Sequence, residues 1–160
     1  MRKPLIVAEG LDTGLLGASG TIGDSDITDF LTSIRLSGSN ELRDLITNNT
    51  SIDYDVVYVN WDNGTDYLQR NAYVLEEVIK WVNQEKTANG STTPNVVLGQ
   101  SMGGVIARYA LRDMENRNKP HNTSLYISHD APPGSTCSFR IALYGSPRGG
   151  PVYKYSCWEY

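Results

Sequence analysis

The chain has 160 residues, 39% of them hydrophobic and 20% charged, with a formal net charge of −4. That length and apolar share suit one domain with a core of its own. The acidic balance, with a pI near 5.1, argues against a nucleic-acid partner, which favours a basic face. No apolar run approaches the ~18 residues of a membrane span.

The opening MRKPLIVAEGL joins basic residues to an apolar run too short for a secretion signal, with no small residues before a cleavage point. Leu5 to Ala8 reads instead as a strand. Residues 12 to 39 are rich in Gly, Ser, Thr and Asp, with a short helix expected near Asp29 to Ile34. A long loop after a first strand is expected to wall a ligand site. Asp24, Asp26 and Asp29 lack the glycine and terminal glutamate of a calcium loop, so they read as turn or cap residues. Asn40 to Ile46 is a second short helix candidate, and Val56 to Val59 a second strand. From Asp66 to Val82 the apolar residues Leu68, Val74, Leu75, Val78, Ile79 and Val82 recur at helical spacing. Val96 to Leu98 and Leu125 to Ile127 are two further strands. All four strands are short, continuous and mostly β-branched or aromatic, the pattern of parallel strands covered on both faces. The expectation is an α/β domain with a mostly parallel sheet of about four strands over residues 1–134. An irregular tail follows at 135–160, where Arg140 to Tyr144 and Val152 to Trp158 would make an edge hairpin. Cys137 and Cys157 could pair, and two cysteines decide nothing about compartment. The N-x-[ST] sequences at Asn48, Asn49, Asn63, Asn89 and Asn122 are mostly the chance product of an Asn-, Ser- and Thr-rich chain.

Between the third strand and the next helix lies Gly99-Gln100-Ser101-Met102-Gly103. A serine at the tip of a tight strand-to-helix turn sits in a strained backbone, and small residues two positions either way leave it room. Its hydroxyl then stands above the sheet beside the Met102 N–H at a helix N-terminus. A phosphate loop is excluded by the missing lysine. This is the G-x-S-x-G nucleophile elbow. An oxyanion needs a second donor, and Leu11 N–H, after the first strand at Glu9-Gly10-Leu11, is the natural one.

A serine hydroxyl needs a base, usually histidine. There are two histidines. His121 precedes the fourth strand, at the opposite end of the sheet from Ser101, and reads as a surface loop residue. His129 ends that strand, on the same side as Ser101, and is the candidate base. Asp130 follows; alternation along a strand keeps it from orienting His129 until the strand has ended. It could instead complete a triad whose histidine lies outside this chain. Asp12 and Asp62 also follow strands and read more simply as turn or cap residues.

Taken together these residues resemble the α/β-hydrolase superfamily, in its lipase and esterase branch. Gly99 to Gly104 resembles the lipase elbow, with Gln100 where histidine is common. Pro4 to Leu11 resembles the strand and oxyanion loop, with Glu9 at the usual histidine position. Ser128 to Gly134 resembles a strand-end segment, and Trp61 to Ala72 resembles lipase-like secreted proteins of gut and rumen bacteria. The resemblance spans residues 3 to about 134 and implies a truncated core, the family's third to sixth strands. It implies Ser101 as nucleophile and Leu11 and Met102 as oxyanion donors. It also implies Asp130 as acid in the manner of lipases whose acid follows the sixth strand. The family's histidine follows the eighth strand, so His129 rests on its position alone. The expected activity is hydrolysis of short-chain carboxylic esters through an acyl-enzyme, with no metal or organic cofactor. The alternatives are an impaired homologue that binds acyl ligands, or a homo-oligomer that pairs exposed sheet edges and completes the site from a neighbour.

Overall fold

The computed structural model describes residues 1–11, 26–33 and 54–129, and the backbone of 140–143 and 152–154. Each of the four apolar runs forms a strand: β1 (Pro4–Ala8), β2 (Asp55–Val59), β3 (Asn95–Gln100) and β4 (Thr123–His129). They pair in parallel in the order β2-β1-β3-β4. With flanking helices this is the α/β class. The ladder continues beyond β4 through two antiparallel strands, β5 (Arg140–Leu143) and β6 (Val152–Lys154). The 40–46 helix candidate, the cysteines, Asp12, Asp24 and Asp130 lie outside the described residues, as do the sequences at Asn48 and Asn49.

Three described helices flank the sheet: α1 (Ile27–Ser33), α2 (Leu68–Ala88) and α3 (Met102–Asn116). Both faces of β1 are covered, which is why PLIVA is buried along its whole length. On one face Ile6, Ala8, Val97 and Tyr126 meet Leu75, Ile79 and Val82 of α2 and Ile106, Ala110 and Met114 of α3. On the other face Leu5 and Val7 pack with Phe30 of α1, against Tyr58, Val96 and Leu98. Burying an aliphatic side chain of this size contributes roughly 1.5–3 kcal/mol, so these two layers are the main favourable term.

Helix ends follow local chemistry. Asp26 Oδ1 accepts the N–H groups of Thr28 (2.7 Å) and Asp29 (3.0 Å), and Asp29 Oδ2 accepts Asp26 N–H at 3.2 Å. That is a reciprocal capping box built from two acids, so these aspartates serve as caps. The helix begins at Ile27, two residues before its expected start. α2 runs to Ala88, past the expected end at Val82, and stops where Gly90 takes φ +70°. Gly90 N–H donates to Thr87 O (2.9 Å) and Ser91 N–H to Lys86 O (3.0 Å), a Schellman stop.

The strand order reverses direction around β1. The chain first moves from β1 to β2 on one side, then crosses back to β3 and β4 on the other. In open α/β sheets the crevice at such a reversal, outside the strand carboxyl ends, is where ligands bind. Here that crevice lies between Glu9-Gly10-Leu11, after β1, and Gln100-Ser101, at the end of β3. Among the described residues no helix is long and apolar enough to cross a membrane.

Candidate functional site

Ser101 occupies the turn between β3 and α3 with φ 48° and ψ −119°. A positive φ is costly for a residue with a Cβ and persists only where its surroundings impose it. Two close approaches impose it here. A Cβ on Gly103 would lie 2.8 Å from the Glu9 carbonyl carbon and nearer still to the carbonyl oxygens of Ala8 and Glu9. One on Gly99 would lie 2.5 Å from Gly104 N and 2.6 Å from Gly103 C. Helix α3 is thus pressed against the ends of β1 and β3 as no larger residue would allow. Gly104 N–H turns back to Ser101 O at 3.0 Å, and the Tyr126 hydroxyl donates to the Gly104 carbonyl. The Ser101 side chain is left exposed.

The first-strand loop reaches the same point. A Cβ on Gly10 would stand 3.4 Å from Ser101 Cβ and 3.2 Å from Gln100 O. Gly10 and Leu11 line a cleft of about 260 Å³ together with Glu9, Phe30, Tyr58 and Gln100; Asp29 of α1 borders it as well. Ser101 is not among the lining residues and stands beside the cleft, joined to it through Gln100 and Gly10. Leu11 is about half exposed and Met102 is partly buried against the core.

His129 closes β4. It is the register partner of Gln100, and its carbonyl accepts the Ser101 N–H at 2.7 Å. Partners across a parallel ladder point to one face, so the exposed His129 side chain shares the face of Gln100. The structure therefore brings Ser101, Met102, Gly10, Leu11 and His129 to one end of the sheet. Asp62 is exposed in the 62–65 turn after β2. His121 is at the other end, in the loop before β4 as expected, with its side chain partly buried. The ring is 13% exposed, and its Nδ1 accepts the Thr123 N–H at 3.0 Å. Its carbonyl receives Asn95 Nδ2 at 2.9 Å and Asn83 Nδ2 at 3.3 Å. Burial lowers its pKa, against a smaller opposing pull from Glu115.

Sequence reasoning did not anticipate what holds the loop after β1. Glu9 is 3% exposed. Its N–H donates to Val59 O at 3.2 Å, and its carbonyl accepts Trp61 Nε1–H at 3.0 Å. Its carboxylate accepts the Trp61 N–H at 3.2 Å and the Tyr58 hydroxyl. The Tyr58 phenol is pushed well above its usual value, by burial first, then by the charge of Glu9 and its hydrogen bond, and by the charges of Asp29 and Asp26. It stays a neutral donor. The signal for this knot was a glutamate placed directly after a fully apolar strand. Among the described residues no group of three or more His, Cys, Asp or Glu is placed to hold a metal ion. Comparison with protein-family models, with curated proteins and with solved structures finds no match to this chain.

Proposed function

We propose that this chain is a serine carboxylic-ester hydrolase for short-chain esters, built on a shortened α/β-hydrolase core. The observation that carries the reading is Ser101. It is an exposed hydroxyl on a backbone at φ 48°, placed at the sheet's reversal point where such folds bind ligands. Strain of this kind costs about 1–3 kcal/mol and concentrates at functional sites. In the proposed reaction Ser101 Oγ attacks the ester carbonyl while His129 takes its proton. The N–H groups of Met102 and Leu11 receive the oxyanion. The alcohol leaves with the proton from His129, and water, deprotonated by the same ring, releases the acid. Asp130 serves as the acid partner of the base. A cleft of about 260 Å³ suits a short acyl or alcohol group. β5 and β6 act as an edge hairpin, covering the side of β4 that would otherwise template association.

The test is p-nitrophenyl butyrate hydrolysis by wild type, Ser101→Ala and His129→Ala across pH 5 to 9. Both variants are expected to lose about a thousandfold or more. Loss in Ser101→Ala alone places the base elsewhere, including on a neighbouring copy, which a concentration-dependent specific activity reveals. Wild type equal to Ser101→Ala leaves an elbow that binds acyl ligands without turning them over.

A further inference from the structure

The end of β1 is tied more firmly than the sheet requires. The ladder there needs only the bond from Glu9 N–H to Val59 O at 3.2 Å. Two further bonds join Glu9 to Trp61, and they are reciprocal. The Trp61 ring Nε1–H donates to the Glu9 carbonyl at 3.0 Å, and the Glu9 carboxylate accepts the Trp61 N–H at 3.2 Å. Both residues are buried, Glu9 at 3% and Trp61 at 4% exposure. Trp61 is itself anchored in the core layer that holds Ala8, Val59 and Leu75. From the other side Gly103 of α3 closes on the same Glu9 carbonyl so tightly that no Cβ fits between them. The peptide leading into Gly10 is therefore clamped between a tryptophan ring and a helix. Just beyond it, a Cβ on Gly10 would stand 3.4 Å from Ser101 Cβ. The Leu11 side chain is half exposed, so packing does little to place its N–H. Among the described residues, the bonds of Glu9 do that.

Resting on the esterase reading for the chemistry, we propose that Glu9 and Trp61 are positioning residues for the oxyanion hole. They brace Gly10 and Leu11 against the Ser101 elbow, so that the Leu11 N–H is in place before the tetrahedral intermediate forms. Their effect is exerted through Leu11 and not on the substrate itself. Donors fixed in advance need not reorganise as charge develops. An interaction made only in the transition state acts on kcat and leaves KM alone, which a purely structural bond would not do.

The experiment starts from Trp61→Phe, which leaves a ring in the core and removes the Nε1–H. With p-nitrophenyl butyrate its kcat should fall about tenfold or more, with KM within about twofold of wild type. Its affinity for butaneboronic acid, whose boron takes up Ser101 Oγ to give a tetrahedral adduct, should fall by about the same factor. Glu9→Ala should lose as much, and Glu9→Gln, which keeps an oxygen for the Trp61 N–H, should recover to within about threefold of wild type. That pair carries the comparison if Trp61→Phe does not fold. Val82→Ala, buried well down α2 from the loop, should lower the melting temperature and keep both kcat and boronic-acid affinity. Hydrogen exchange at the Gly10 and Leu11 amides reads the brace without turnover, and should quicken about tenfold in Trp61→Phe and not in Val82→Ala. Where wild type hydrolyses the ester, wild-type kcat and boronic-acid affinity in Trp61→Phe and Glu9→Ala overturn the proposal and leave the esterase reading intact. An equal loss in Val82→Ala overturns it too, since stability would then be the cause. Where wild type hydrolyses no more than Ser101→Ala, the esterase reading fails and amide exchange decides the brace alone. Faster exchange in Trp61→Phe supports it, and unchanged exchange refutes it.

Discussion

Gly103→Ala separates two physical effects of opposite sign. Gly103 lies within α3, so helix propensity alone would make alanine stabilising by about 1 kcal/mol. Packing says otherwise. The added carbon would meet the Glu9 carbonyl carbon at 2.8 Å, and two carbonyl oxygens closer still, where ordinary contact begins near 3.4 Å. All three atoms are backbone, so the end of β1 and the start of α3 must part by more than half an ångström. Overpacking of this kind costs about 3 kcal/mol, leaving a net loss of about 2 kcal/mol. For a chain of 160 residues that is a fall in Tm of roughly 4–8 °C. Gly90→Ala is the comparison: φ is +70° and nothing lies within 4 Å, so only backbone strain acts, about 1 kcal/mol or 2–4 °C. Thermal unfolding followed by circular dichroism reads both. The same displacement moves Ser101 relative to Gly10 and Leu11, and misplacement on this scale would cost up to ~10²-fold in the proposed hydrolysis. A Gly103→Ala protein that melts at or above the wild-type temperature would refute the packing argument outright.

The orientation of α2 makes a second prediction. Leu75 is fully buried and its neighbour Val74 is half exposed. Leu75→Ala should therefore cost about 2–5 kcal/mol and Val74→Ala no more than about 0.5 kcal/mol, as read by denaturant midpoints; equal costs would mean the helix faces the sheet differently. A third concerns pH. Burial holds the folded-state pKa of His121 below the usual 6.5, so below that value the unfolded chain binds more protons and stability falls as the medium is acidified. His121→Asn keeps an acceptor for the Thr123 N–H through an Asx turn and cannot titrate. Its unfolding midpoint should fall less than that of wild type between pH 7 and 5, and parallel curves would rule out His121 as the source.

What was legible in the sequence was local. Val96-Val97-Leu98 announces a strand by composition, and Ser101 declares the elbow because glycines at fixed offsets are needed wherever a helix is pressed against two strand ends. The limits of α2 were partly hidden. Beyond Val82 its residues are mostly polar, and the real stop is set by the left-handed φ of Gly90. The Glu9 knot was out of reach for another reason: Glu9 and Trp61 are 52 residues apart and meet only because Ala8 registers with Val59. The His121 carbonyl is likewise held by Asn83 and Asn95, which belong to other elements. Side-chain environment at the site is a property of strand register, and register is not written in any single segment.

The hydrogen bond from Ser101 N–H to the His129 carbonyl also bears on the order of assembly. The elbow is the last rung of the β3–β4 ladder, and donor and acceptor come from opposite ends of a complete strand-helix-strand unit. Its left-handed backbone has no local reason to persist in an isolated strand-turn-helix peptide. The Ser101 geometry is then a late event, acquired when β4 docks and the loop-closure entropy of the crossover has been met. A chain divided at the exposed turn of Arg117–Asn118 would recover that geometry only when its two pieces rejoin, which would make the Ser101 turn a reporter of their association.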